Sequence, residues 1–144
     1  MLCKATLKQR PVAKWHCPPT GRLKINIDGA YNADRRLGGV GVVCRDDHGS
    51  CVAVLAKPFQ YASSALHMEA EALRAGLLLA IHQGWMDIEM DTDCAILVYA
   101  LNRELDDDLS DIGRIMEDCK MYVEYFLLFN SDMYIGKQMV WPIG

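Results

Sequence analysis

Three carboxylates in this 144-residue chain stand where secondary-structure elements begin or end. Asp28 closes an alternating apolar run, Glu69 falls in the first turns of a helical stretch, and Asp93 sits where a short strand gives way to a second helix. On a helical wheel Glu69 lies within about 60° of Leu66, Leu73 and Ala80, so it borders the buried stripe. Glu71 points away from that stripe and is expected in solvent. An ionised carboxylate beside a core is costly unless something pairs with it. Spacing offers Glu69 no basic partner, since Arg74 is five residues along and off its face. Acids sharing one site repel one another, and a divalent cation resolves that conflict. Hard carboxylate oxygens suit Mg²⁺ and Mn²⁺, and the chemistry served would be in-line displacement at a phosphodiester. Plainer readings stay open at this point: an Asp at a strand end is common turn chemistry, and an early helix Glu complements the helix dipole.

The elements that must carry these acids follow from hydrophobic period. Leu23 to Asp28 alternates as a strand ended by Gly29, Gly39 to Arg45 forms a second, and Ser50 to Phe59 returns as a third, closed by Pro58. Asp46-Asp47-His48-Gly49 is strong turn chemistry between the last two. From Ser64 to about Gln83, apolar residues recur at three and four, with Ser64 placed to cap the helix and Gly84 just past its end. Asp87 to Asp91 is a short strand, Cys94 to Leu105 a helix, and a third helix starts from Ser110. Tyr125 to Asn130 reads as a last strand, followed by an irregular tail. The order βββ-α-β-α-α-β predicts an α/β fold with a mixed sheet, its first three strands antiparallel and helices packed on it. It is not a doubly wound nucleotide-binding pattern, and no phosphate-binding glycine loop is present.

Length suits one domain, and half the residues are apolar with 24% charged, as in an ordinary globular protein. Residues 1–24 hold six Lys or Arg and no acid, which leaves nine against nineteen Asp or Glu over the rest, a net of −10. Such a body cannot grip a polyanion through its whole surface. Nucleic-acid contact would need the basic arm, local patches or a divalent cation. Residues 1–22, rich in Pro and basic residues, read as an extended arm, residues 23–132 as the domain, and 133–144 as the tail. No run approaches the roughly 20 apolar residues of a membrane span. The six cysteines, spaced 14, 27, 7, 43 and 25 apart, form no metal pair. Without a visible secretory signal, an intracellular chain with reduced thiols is expected.

Longer words add to this. Trp15, Pro18-Pro19, Gly21, Lys24-Ile25-Asn26-Ile27-Asp28-Gly29-Ala30, Gly39 to Asp46, His67-Met68-Glu69-Ala70-Glu71-Ala72-Leu73 with Gly76-Leu77, and Asp91-Thr92-Asp93-Cys94 stand in one order. Together they resemble the type 1 ribonuclease H family over about residues 15–130. They are most similar to its plant branch, related to the ribonuclease H domains of non-LTR retroelements. The resemblance implies a ribonuclease H-like fold with a five-stranded sheet. It also implies hydrolysis of the RNA strand of RNA–DNA hybrids by a monomer using Mg²⁺ or Mn²⁺. Asp28, Glu69 and Asp93 match the family's catalytic, metal-binding acids. Around them Asn26, Gly29, Ala30, Ser64 and His67 are expected to meet substrate. The family's closing stretch, with its His, Arg, Asn and fourth acid, has no match in Met133 to Gly144, and Asp132 is the one nearby carboxylate. The last helix is therefore expected to be missing, with two ions in an intact site and one in a depleted one. The alternative reading is a retroelement-derived domain that binds nucleic acid or a protein partner without cleaving.

The remaining candidates have plain readings. His16, His48, His67 and His82 share no ligand spacing, and His67 is expected as an exposed helix residue. Cys94 lacks a base to activate it. Asn26 shares a strand face with Asp28 and could orient it. Tyr31 and Tyr61 could stack on bases or pack, Trp85 reads as core, and Asp106 to Asp111 as a solvated loop.

Overall fold

The computed structural model describes residues 17–102, 112–129 and 133–136. Strands β1 (Leu23–Asn32), β2 (Leu37–Arg45) and β3 (Cys51–Phe59) form an antiparallel meander, and helix α1 (Ala65–Gln83) crosses back over it. Strand β4 (Ile88–Asp91) then pairs parallel to β1, after which come helices α2 (Ala95–Leu101) and α3 (Gly113–Leu127). Strand β5 (Tyr134–Gly136) pairs parallel to β4, so the sheet runs β3-β2-β1-β4-β5. No helix of the described residues is long and apolar enough to cross a membrane.

Alternation in β1 puts Ile25 and Ile27 into the core, where Gly76 of α1 lies close against Ile27. Leu73, Leu77 and Ala80 bring the apolar stripe of α1 onto the sheet, and Met116, Cys119, Val123 and Phe126 bring that of α3 into the same core. Ser64 caps α1, its Oγ accepting from the His67 amide at 2.9 Å, and Gly84 closes the helix in the left-handed region at φ 76°. On the β1–β4 seam the side chains of Lys24 and Glu89 are fully buried and 3.7 Å apart, with Arg22 3.8 Å from the same carboxylate. A charge removed from water needs such partners, so this group fixes the seam's register more than it adds stability.

Several expected boundaries are corrected. Gly29 does not end β1, which continues to Asn32 because the reversal lies further on, between Asn32 and Leu37. Pro58 lies inside β3, where an edge strand tolerates a missing N–H. Of the strand expected over 125–130, residues 125–127 are instead the last turn of α3, since Phe126 continues the buried face of Cys119 and Val123, 128–129 form a turn, and 130 falls outside the described residues. The tail expected from 133 contains β5, only three residues long and so without a legible period. Helix α2 ends at Leu101 with Asn102 as its C-cap, short of the expected Leu105, and Ser110, like the arm over 1–16, Asp106 to Asp111, Asp132 and the expected loss of a last helix, falls outside the described residues. Ile112 stands at the start of α3 without a side-chain cap. The five described cysteines are free thiols, with Cys44 buried and Cys51 exposed.

Candidate active site

Asp28 projects from the middle of β1 and is exposed. Its neighbour Gly29 does the positioning. A Cβ there would lie 2.4 Å from the Met68 carbonyl carbon and 2.6 Å from the Glu69 nitrogen, so only glycine lets α1 come this close to the strand. The close approach brings the Glu69 side chain alongside Asp28. Asp93 comes from the loop after β4, which is held by the Thr92 amide donating to Gly136 O at 2.9 Å and by Thr92 Oγ1 accepting from the Cys94 amide at 3.1 Å.

Electrostatics joins the three acids. The Glu69 carboxyl is pushed up to about 7, first by burial, then by the charges of Asp28 and Asp93, while a hydrogen bond from the Gly29 backbone pulls the other way. Glu69 Oε1 is buried and accepts no hydrogen bond. Among the described residues, no ion pair with a cation involves any of the three.

Glu71 overturns the expectation that it is solvated. Its side chain is 13% exposed and accepts from Arg74 at 2.9 and 3.0 Å, while Arg74 also donates to Asp118 of α3 at 2.8 Å. His67 is likewise not the exposed residue expected: Nδ1 accepts from the Ser63 amide at 3.1 Å and Nε2 lies 3.5 Å from Glu71. Two glutamates two residues apart therefore sit in opposite company, Glu69 among acids and Glu71 among bases. Spacing could not reveal this for Glu71, because Asp118 belongs to another helix.

The other expected contacts divide. Asn26 Nδ2 donates to Asp91 Oδ2 at 3.1 Å, so Asn26 is committed to β4, and its buried Oδ1 is unpartnered. Asp91, 4% exposed, was not singled out in the sequence, although it sits at strand period from Asp93. Ala30 and Asp28 line a shallow depression of about 410 Å³ floored by Gly38, Gly39 and Gly41 and edged by Lys57. Ser64 is occupied with its cap.

A metal-ligand set can be tested on these atoms. Among the described residues, only Asp46, Asp47 and His48 place possible ligand atoms all within 4.8 Å of one another. Those three are engaged as a turn: Asp46 Oδ1 accepts from the amides of His48 and Ser50, and Asp47 Oδ2 from that of Gly21. The same bonds hold Asp46 below the usual carboxylate range. Asp28, Glu69 and Asp93 do not bring one ligand atom each within 4.8 Å of one another, so an ion there would take only one or two of the carboxylates directly and keep several waters. The orphaned Glu69 oxygen and the mutual repulsion of the three acids fit a divalent ion.

Sheet order and crossing helix give a ribonuclease H-like fold. The chain belongs to the reverse transcriptase-like family, matched over residues 26–130. Among solved structures it is similar to RNase H1 from the halophilic archaeon Halobacterium salinarum NRC-1, with a TM-score of 0.69 and 23% identity over 82% of this chain and 85% of that one. The N-terminal RNase H domain of rv2228c from Mycobacterium tuberculosis gives 0.64 and 17%, covering 83% and 87%. LC11-RNase H1, isolated from compost by a metagenomic approach, gives 0.62 and 14%, covering 83% and 85%. At these identities the likeness is one of fold. No curated protein sequence matches significantly.

Proposed function

We propose that this domain hydrolyses the RNA strand of RNA–DNA hybrids, with Asp28, Glu69 and Asp93 holding the divalent ion. The supporting observation is the half-buried Glu69 carboxyl, set against two further acids with one oxygen unpartnered. When bound, Mg²⁺ or Mn²⁺ would supply Lewis acidity at the scissile phosphate and acidify a water. The chain's own part is geometric. Asp28 sits on a strand held on both sides, by β2 and β4, and Glu69 is fixed to it by the Gly29 contact. Asp93 is fixed by the Thr92 bonds, and Asn26 braces β1 against β4 directly behind the site. Acids held this way need little reorganisation when the ion and substrate arrive.

The wide setting of the three acids favours a second reading, in which hybrid is bound and not cut. One experiment separates the two. In a hybrid-cleavage assay with Mg²⁺ and with Mn²⁺, Glu69→Gln should abolish cleavage while leaving the fold intact. Glu71→Gln should retain the activity of the folded molecule but lower Tm, because Arg74 loses a charged partner. Equal losses in the two variants would defeat the assignment. Chelator-resistant binding by the wild type, without cleavage, would select the second reading.

A further inference from the structure

The β1–β2 turn carries Asp34, Arg35 and Arg36, two cations against one acid. Among the described residues, Arg36 is the one non-glycine with a left-handed backbone, at φ 57°. A long side chain is disfavoured there, and glycine would fit without strain. The side chain nonetheless makes two contacts with one residue, Tyr61. Its guanidinium lies 4.9 Å from the centroid of the Tyr61 ring, and Nη2 donates to the Tyr61 hydroxyl at 2.6 Å. The Ala62 amide donates to the Arg36 carbonyl at 2.8 Å, tying the turn to the loop that leads into α1. Below them Gly38 packs on Met68 so tightly that a Cβ would come within 2.2 Å of its sulfur. Tyr61 is nevertheless 59% exposed, and Arg35 and Arg36 are exposed as well. The result is a guanidinium held over an aromatic ring and facing solvent.

Its place gives it meaning. Arg36 stands in the turn beyond β1, whose last residue, Asn32, lies four residues past Asp28, or about 13 Å along the strand. Tyr61 precedes the Ser64 cap, and Glu69 follows that cap by about 7.5 Å of helix. That separation matches a few nucleotides of a duplex whose charges recur every few ångströms of axis. In a body so rich in acid, a cation held by two contacts to one ring, with a second arginine beside it, is a local exception.

Resting on the function proposed above, we propose that Arg36, held over Tyr61, is a backbone-phosphate contact that positions the nucleic-acid strand running to the Asp28–Glu69–Asp93 site. A planar guanidinium suits phosphate, and stacking on Tyr61 reduces the side-chain freedom lost on binding. Tyr61 acts through Arg36 and is a positioning residue.

The test is fluorescence anisotropy of a short labelled RNA–DNA hybrid in Ca²⁺, read as affinity against salt concentration, with thermal melts alongside. Arg36→Gly keeps the left-handed turn and the carbonyl that Ala62 uses, while removing only the side chain. It should bind about fivefold to tenfold more weakly, with the slope of log affinity against log salt reduced by about one. Its Tm should hold or rise. Tyr61→Leu keeps the charge, so it should weaken binding with the slope unchanged. Wild-type affinity and slope in Arg36→Gly would overturn the inference, and so would a lowered Tm with an unchanged slope, which marks a purely structural arginine. A wild type that binds no hybrid would instead overturn the function on which the inference rests.

Discussion

At the scale of single residues, Glu69 makes a measurable demand on the fold. Its carboxyl holds a proton up to about 7, whereas an ordinary glutamate releases it near 4.5. The native state therefore binds that proton more tightly than the unfolded chain. The associated stability is fully present below the unfolded value and is lost as pH rises through about 7. For a half-exposed carboxyl, solvent screening reduces this to on the order of 1 kcal/mol, or a few degrees in Tm. Calorimetry in EDTA should show wild-type Tm falling between pH 5 and pH 8 relative to Glu69→Gln, with the variant the more stable at pH 8. Superimposable profiles would mean that neither burial nor the charges of Asp28 and Asp93 press on the carboxyl. Glu69 was legible from the sequence because its wheel angle depends on α1 alone. Glu71 was not, because its burial depends on Arg74 reaching across to Asp118 of α3.

At the scale of elements, the site depends on how closely α1 lies on β1. Gly29 read as a strand terminator because glycine is poor in strands, yet the glycine here serves a helix that touches the strand. The two readings predict different mutants. Gly29→Ala places a methyl 2.4 Å from backbone that cannot yield locally, so α1 must shift away and take Glu69 with it. We expect a loss of about 1–3 kcal/mol, as for other overpacked sites, together with a collapse of Mn²⁺ affinity in isothermal titration. Gly41→Ala, where a Cβ meets nothing within 4 Å, is the control and should keep both. A Gly29→Ala protein with wild-type stability would refute the close approach. The period of three and four marked α1 cleanly, since its ends carry a Ser cap and a Gly stop. It failed only over the last turn of α3, where the run Tyr125-Phe126-Leu127 has strand-like composition although Phe126 continues the buried face of Cys119 and Val123. Three-residue β5 is too short for any period, and its pairing with β4 supplies what its length cannot.

At the scale of the whole molecule, charge sets the conditions under which a polyanion can approach. Beyond residue 24 the chain holds nine cations against nineteen acids, and three of those acids crowd the point where a phosphate would have to sit. Repulsion there is strongest without a divalent ion and is screened within about 10 Å at 0.1 M salt. A protein with a basic substrate channel would lose affinity steadily as salt rises and would ignore chelators. This one should depend on a divalent ion as well as on salt. Hybrid binding measured by anisotropy should strengthen at least about tenfold when Ca²⁺ or Mg²⁺ is added, since bridging replaces repulsion at the acids. The gain should vanish in Asp28→Asn paired with Asp93→Asn, whose metal-free affinity should exceed the wild type's because two like charges are gone. Ion binding to the native state alone must also raise Tm with concentration, and the double variant should lose that rise in parallel. Affinity that is equal in EDTA and in Mg²⁺ would place the hybrid elsewhere on the surface and separate the three acids from substrate altogether.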